Sequence, residues 1–190
     1  MGAGNNIRYS VRKGAANRRH PIFLMESAMK VLGFTVVLLV VIAASLVLAA
    51  QLGLLQGQAP ADLGVNDGRL KPPSDTPNSV SSQAELYPGH PQRTYASMAP
   101  LAFTGKGEQA MDKLARILQG TPRCLLVTQQ PDYLYAQCST ALLRFTDDVE
   151  FWLDRPAGVI QLRSASRLGR GDLGVNRTRV EKIRAQFQQN

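Results

Sequence analysis

A chain of 190 residues, 44% hydrophobic and 19% charged, has room for one small folded domain and one accessory segment. Its two cysteines and two histidines, His20 near the start and His90 among prolines and glycines, cannot assemble the N and S ligand set of zinc or haem, so no metal and no cofactor is expected. The net charge of +8 suits an anionic membrane surface better than nucleic acid, because the basic stretches lack interleaved aromatics.

Residues 1–30 form a basic tail, with Arg8, Arg12, Lys13, Arg18, Arg19 and Lys30 against Glu26 alone. Residues 31–55 follow as a predicted transmembrane helix: Val31–Ala50 is uncharged, and the run stays apolar to Leu55. At about 1.5 Å per residue it covers the hydrocarbon thickness of a bilayer, and only a helix satisfies such a backbone in lipid. The next basic residue is Arg69. That asymmetry puts the N-terminus in the cytoplasm and everything downstream outside it, as a single-pass protein of the cell inner membrane with a periplasmic or otherwise extracytoplasmic domain. The apolar run exceeds a signal-peptide core and has a long leader before it, so an uncleaved anchor is expected. No cysteine stands directly after the run, which excludes a lipid-modified signal.

Residues 56–93 are rich in Pro, Gly, Ser, Asn and Asp without hydrophobic period, and read as a linker or extended arm. Residues 94–190 then hold the folded domain. Thr94–Phe103 reads as an edge strand because of Pro100. Lys106–Gln119 is an amphipathic helix with Ala110, Met111, Leu114, Ala115, Ile117 and Leu118 on one face, Gly120 as a left-handed cap and Pro122 as a stop.

Two hairpins come next. Arg123–Thr128 and Tyr133–Thr140 flank Gln-Gln-Pro-Asp, and a turn centred on Pro131 places Leu126 opposite Ala136 and Cys124 opposite Cys138. The cysteines are then either two buried thiols or, in an oxidising compartment, a disulfide. Arg144–Leu153 and Val159–Leu168 form the second hairpin. Asp148, Glu150 and Trp152 share one face, with Asp148 or Glu150 across from Arg163, while Asp147 is stranded on the apolar face near Ser164 and Ser166. Asn176 then caps a last helix that runs to about Gln188. The order β-α-β4-α gives an α+β domain: an antiparallel sheet of about five strands with both helices on one face, preceded by the membrane helix.

Chemistry would have to reside in Phe145-x-Asp-Asp-Val-Glu-Phe151 and in Arg163-Ser-Ala-Ser-Arg-x-Gly-x-x-Asp-x-Gly-Val-Asn-Arg-x-Arg-Val-Glu181. With Asp67-Gly-Arg-Leu70 and Pro77-Asn-Ser-Val-Ser-Ser82 upstream, these stretches resemble the uncharacterised bacterial and plastid family DUF1499, from about Leu63 to the C-terminus. The resemblance implies the domain and no activity. Many relatives carry cysteines in the upstream stretch, one where Ser79 stands here, so any bond those make is missing.

Three readings compete for these residues. Asp148, Glu150, Arg163, Arg167, Asp172, Asn176 and Arg177 could bind an anionic ligand, with the Gly169–Gly174 loop opening the helix toward it and Arg179 converging there. The same carboxylates could instead neutralise those arginines as structural latches, with Asp172 or Asn176 merely capping the last helix. As an enzyme, the chain would use Asp148 and Glu150 as acid and base, since adjacent strand residues such as Asp147 and Asp148 face opposite ways. Ser164 and Ser166 lack a histidine partner in the domain. The expected role is a membrane-anchored binding or scaffolding module, its partners being the lipid bilayer and an anionic small molecule, a headgroup or an envelope protein, without nucleic acid. A carboxylate-dependent enzyme acting on an envelope substrate is the alternative.

Overall fold

The computed structural model describes residues 21–189, with side chains from Leu24 onward. Most of the basic tail lies outside the described residues. The chain divides into two compact units, Met1–Ala44 and Ser45–Asn190.

Helix α1 spans Pro21–Gln51, starting earlier than the expected Val31 and stopping short of Leu55. Within it, Leu24–Gln51 is long and apolar enough to cross a membrane, and none of its most apolar window is buried against protein. The stop has a local cause. Gly53, at φ +82°, donates its amide to the Ala50 carbonyl, and Leu54 donates to Ala49. This pair of bonds around a left-handed glycine closes the last turn, so apolar residues beyond it cannot prolong the helix.

The folded unit is α+β. Its six-stranded antiparallel sheet comprises β1 (Ser79–Ser81), β2 (Leu101–Ala102), β3 (Cys124–Gln129), β4 (Tyr133–Ser139), β5 (Thr146–Asp154) and β6 (Val159–Ser166). The order is β1-β6-β5-β4-β3, and β2 joins the same edge of β6 as β1, farther along. Between them run a short helix α2 (Arg93–Ala96), then α3 (Gly107–Gly120) after β2 and α4 (Val175–Gln189) at the end.

The hairpin registers follow the alternation in the sequence. Cys124 pairs with Cys138, Leu126 with Ala136, Glu150 with Arg163 and Asp147 with Ser166. An irregularity between Leu126 and Thr128 absorbs one residue of β3. Period two then sends Leu134, Ala136, Val149, Phe151, Leu153, Ile160 and Leu162 to one face, where α3 contributes Met111, Leu114 and Leu118 and α4 contributes Val180, Ile183 and Phe187. Burying a side chain such as Phe151 contributes about 1.5–3 kcal/mol, and this layer is the hydrophobic core.

The stretch 56–93, read as a linker or extended arm, packs on the sheet and supplies β1: Leu70, Val80 and Ala84 are buried. Two expectations change. Thr94–Phe103 is not one strand, because Arg93–Ala96 turns helically, Ser97 makes a single bridge to Ser81, and the antiparallel pairing with β6 is confined to Leu101–Ala102 after Pro100. Gly120 is the last helical residue rather than a left-handed cap, since Pro122 forces Thr121 into extended backbone at ψ 120°.

Candidate functional site

The motif residues divide between the two faces of the sheet, with β5 supplying both sets. On the face away from α3 and α4, Glu150 accepts hydrogen bonds from the Tyr133 hydroxyl and the Gly64 amide, each 2.8 Å, and lies 3.4 Å from Arg163 Nη1. Arg163 Nε reaches the Pro72 carbonyl at 3.3 Å. Both side chains are almost fully buried, because the segment around Gly64 to Pro72 lies over them. Burial pulls the Arg163 guanidinium below its ordinary range, and the Glu150 charge opposes that pull.

One step along the strand, Arg167 grips Asp148 with two nitrogens, Nη2 to Oδ1 at 2.7 Å and Nε to Oδ2 at 3.0 Å. The Tyr135 hydroxyl donates to Asp148 at 2.6 Å and accepts from Gln137. The bond to Asp148 raises Arg167, a shift that burial opposes; burial raises both Tyr133 and Tyr135, reinforced by the adjacent carboxylates. These phenols therefore stay protonated and act as donors.

On the helix face, Asp147 receives Arg179 Nη2 at 2.5 Å. Beside it, Asn176 is a hub. Its Oδ1 accepts from Ser164 Oγ at 2.5 Å and Arg179 Nη1 at 3.1 Å, while its Nδ2 donates to the Asn78 carbonyl, Ser166 Oγ and Asp172 Oδ2. Asn176 is thus a buried tie between α4, β6 and the chain entering β1, and of the two candidate caps it is Asp172 that serves. The Asp172 carboxylate accepts from the amides of Gly174 and Asn176 and from the Tyr95 hydroxyl. Burial pushes its pKa up, but those hydrogen bonds more than offset this and hold it below the usual 3.8.

This geometry decides what the residues can do. The N-terminus of α4 is occupied by the chain's own carboxylate, so the anion cradle expected at Gly169–Gly174 is already filled. Arg163 and Arg167 lie on the opposite face from Arg179, and Arg177 donates to the carbonyls of Tyr95 and Ser97. The seven residues expected to converge on a ligand therefore serve three separate arrangements. Asp148 and Glu150, the pair available for acid–base work, each hold an arginine and a tyrosine inside closed contacts. Sequence reading missed Tyr133 and Tyr135, although period two on β4 puts both on the Asp148 face. The Gly64 amide carries no such signal.

An open cleft lies elsewhere, at the end of the sheet where β3 begins and β4 ends. Cys124 and Cys138 form a disulfide there, among the described residues the only cysteines. The cleft, of about 490 Å³, is bounded by Arg123, Lys182 and the hydroxyl residues Ser139, Thr140 and Thr178, with Leu173 and Val175 on its apolar side. Arg179 also reaches it but is committed to Asp147. Among the described residues, Arg123 and Lys182 make no ion pair.

Residues 69–187 match the family described as "Protein of unknown function (DUF1499)". The chain belongs to that family. The match takes in β1 through α4, all three ion pairs and the cleft-lining residues, and leaves α1 outside. No curated protein and no solved structure matches the chain.

Proposed function

We propose that this DUF1499 chain is a single-pass, N-in membrane protein of the cell envelope whose extracytoplasmic domain binds an anionic group carried on an apolar body. Its anchor is α1, apolar along its length and unburied in its most apolar window. The Cys124–Cys138 bridge supports an oxidising compartment for the folded unit, since such bonds persist outside the reducing cytosol. The observation that carries the binding role is the cleft beside that bridge, where the unpaired cations Arg123 and Lys182 meet hydroxyls on one side and Leu173 and Val175 on the other. Such a lining matches a phosphate or carboxylate attached to a hydrocarbon, while the Arg179–Asp147 pair ties one wall of the cleft to β5.

The test is purification of the full chain in mild detergent, followed by native mass spectrometry of what remains bound. An anionic amphiphile retained by the wild type, and lost from Arg123→Gln/Lys182→Gln with unchanged melting, supports the reading. Equal retention by both proteins overturns it.

A further inference from the structure

We infer that the end of the folded unit bearing this cleft is itself a docking surface for the bilayer, seating the domain on the anionic leaflet next to its anchor. The inference rests on the anchoring reading above and goes beyond the cleft to the whole end of the domain.

The sheet registers define that end. Cys124, Cys138, Asp147 and Ser166 stand in one row across β3, β4, β5 and β6, so the loops 140–145 and 167–174 leave from the same side as Arg123. The chain following the last turn of α1 arrives there too. Gln51 lies 3.5 Å from the Leu142 carbonyl, and Gly57 packs so closely on Arg167 and Leu168 that a Cβ would come within 2.9 Å of Arg167 Cβ.

What this end shows to solvent is unusual for a small domain. Leu142 is 62% exposed, Leu168 42% and Leu173 wholly so, and Leu52 and Leu54, in the stretch between Gln51 and Gly57, are exposed as well. Exposed leucines gathered on loop tips mark an interaction surface rather than stray surface residues. Arg123, Arg144, Arg170 and Lys182 are exposed around them and enter no ion pair among the described residues. The acidic groups nearby do not cancel these charges, because Asp147, Asp148 and Asp172 are buried and already bonded. The exposed acids Glu108, Asp112 and Asp132 lie toward the opposite end, with the β3–β4 turn and the start of α3.

Backbone strain points the same way. Of the four non-glycine residues with left-handed backbone among those described, Arg123, Arg144 and Leu173 are at this end. Side chains held outward at such a cost, apolar tips among cations, match a phospholipid interface: leucines reach the acyl boundary and arginines the phosphates.

The test uses the full chain in nanodiscs, with Trp152→Phe to remove the only native tryptophan and Leu173→Trp to place a reporter. Brominated phosphatidylglycerol should quench that reporter by about half, whereas an Ala157→Trp reporter in the β5–β6 turn should keep its emission. Each of Arg144→Gln and Arg170→Gln should weaken seating about fivefold in anionic discs. Hydrogen exchange on the unsubstituted chain should show loops 140–145 and 168–174 protected in anionic discs and exposed in phosphatidylcholine discs. A chain that incorporates resistant to carbonate, yet leaves the Leu173→Trp reporter unquenched and the loops unprotected, overturns the docking while preserving the anchor. A blue-shifted but unquenched reporter means another protein copy covers the face and likewise overturns it. Failure to incorporate at all overturns both readings.

Discussion

The two faces of the sheet are built by different physics from the same strands. Toward α3 and α4, every second residue is apolar, and burial is non-directional: Phe151, Leu162 and Leu134 need only neighbours of suitable volume. On the other face the same alternation delivers Tyr133, Tyr135, Asp148, Glu150, Arg163 and Gln137, and here each group requires a named partner at hydrogen-bond distance. Asp147 and its Arg179 bring one such pair into the apolar layer. A helix can cover the first face by amphipathicity. The second is covered by an irregular segment, held by a Gly64 amide, a Pro72 carbonyl and the plug of Leu70.

Breaking one partner on the polar face should therefore be among the largest effects. Arg163→Ala leaves Glu150 buried without its counter-charge and is expected to cost about 3–5 kcal/mol. Phe151→Ala on the apolar face should cost a similar 3–5 kcal/mol through its cavity. The two differ in rescue. Replacing Glu150 with Gln and Arg163 with Met removes both charges while keeping an acceptor for the Tyr133 hydroxyl and the Gly64 amide, and should recover most of the loss, whereas removing a second side chain beside the Phe151→Ala cavity should not. Thermal unfolding of the full chain in detergent measures both, and Trp152, which packs against Gly68 of the covering segment, reports by fluorescence whether that segment lifts first. If the double variant is no better than Arg163→Ala, pairing is not what holds this face.

Reduction of the Cys124–Cys138 bridge comes next. The residues are 14 apart, and freeing a loop of that size is expected to cost about 3 kcal/mol. The loss should fall on the β3–β4 edge, read as faster hydrogen exchange in β3 on adding reductant, with the Glu150–Arg163 region unchanged. Uniform exchange throughout the sheet would show that the edge and the centre unfold as one.

Asp172 gives a smaller effect with a pH signature. Asp172→Ala removes the acceptor of two α4 amides and should cost about 1 kcal/mol. Because its folded pKa lies below 3.8, its contribution is complete above that value and is lost as pH falls through the lower folded one. The wild type should therefore lose melting temperature more steeply than Asp172→Ala below about pH 4. Parallel acid limbs for the two proteins would place the acid sensitivity in other carboxylates.

What could be read from the sequence follows the same division. Period two gave both hairpins, the Cys124–Cys138 register, the placing of Arg163 opposite Asp148 or Glu150, which the structure resolves to Glu150, and the stranding of Asp147 near Ser164 and Ser166, because alternation is a property of consecutive residues. The segment from Gly64 to Ser81 has no period, and its order arises from single bonds to residues far along the chain, such as Gly64 to Glu150 and Asn78 to Asn176. No local pattern announces those. For the same reason, Arg163, Arg167, Arg177 and Arg179 looked like one cluster when spacing was all there was, whereas strand alternation and the start of α4 distribute them to different partners.

The weakest expected effect sharpens the contrast by supplying its baseline. Arg155 and Glu108 form an ion pair at 2.9 Å between the β5–β6 turn and α3, with both side chains more than half exposed. Water and salt screen such a pair, and holding two long side chains together costs rotamer freedom, so Arg155→Ala should change stability by no more than about 0.5 kcal/mol. The 2.9 Å contact is closer than the 3.4 Å between Arg163 and Glu150, yet the buried pair should matter several-fold more. Distance alone would rank them the other way. A melting-temperature loss for Arg155→Ala as large as that for Arg163→Ala would mean that charge contact, rather than isolation from water, governs these pairs.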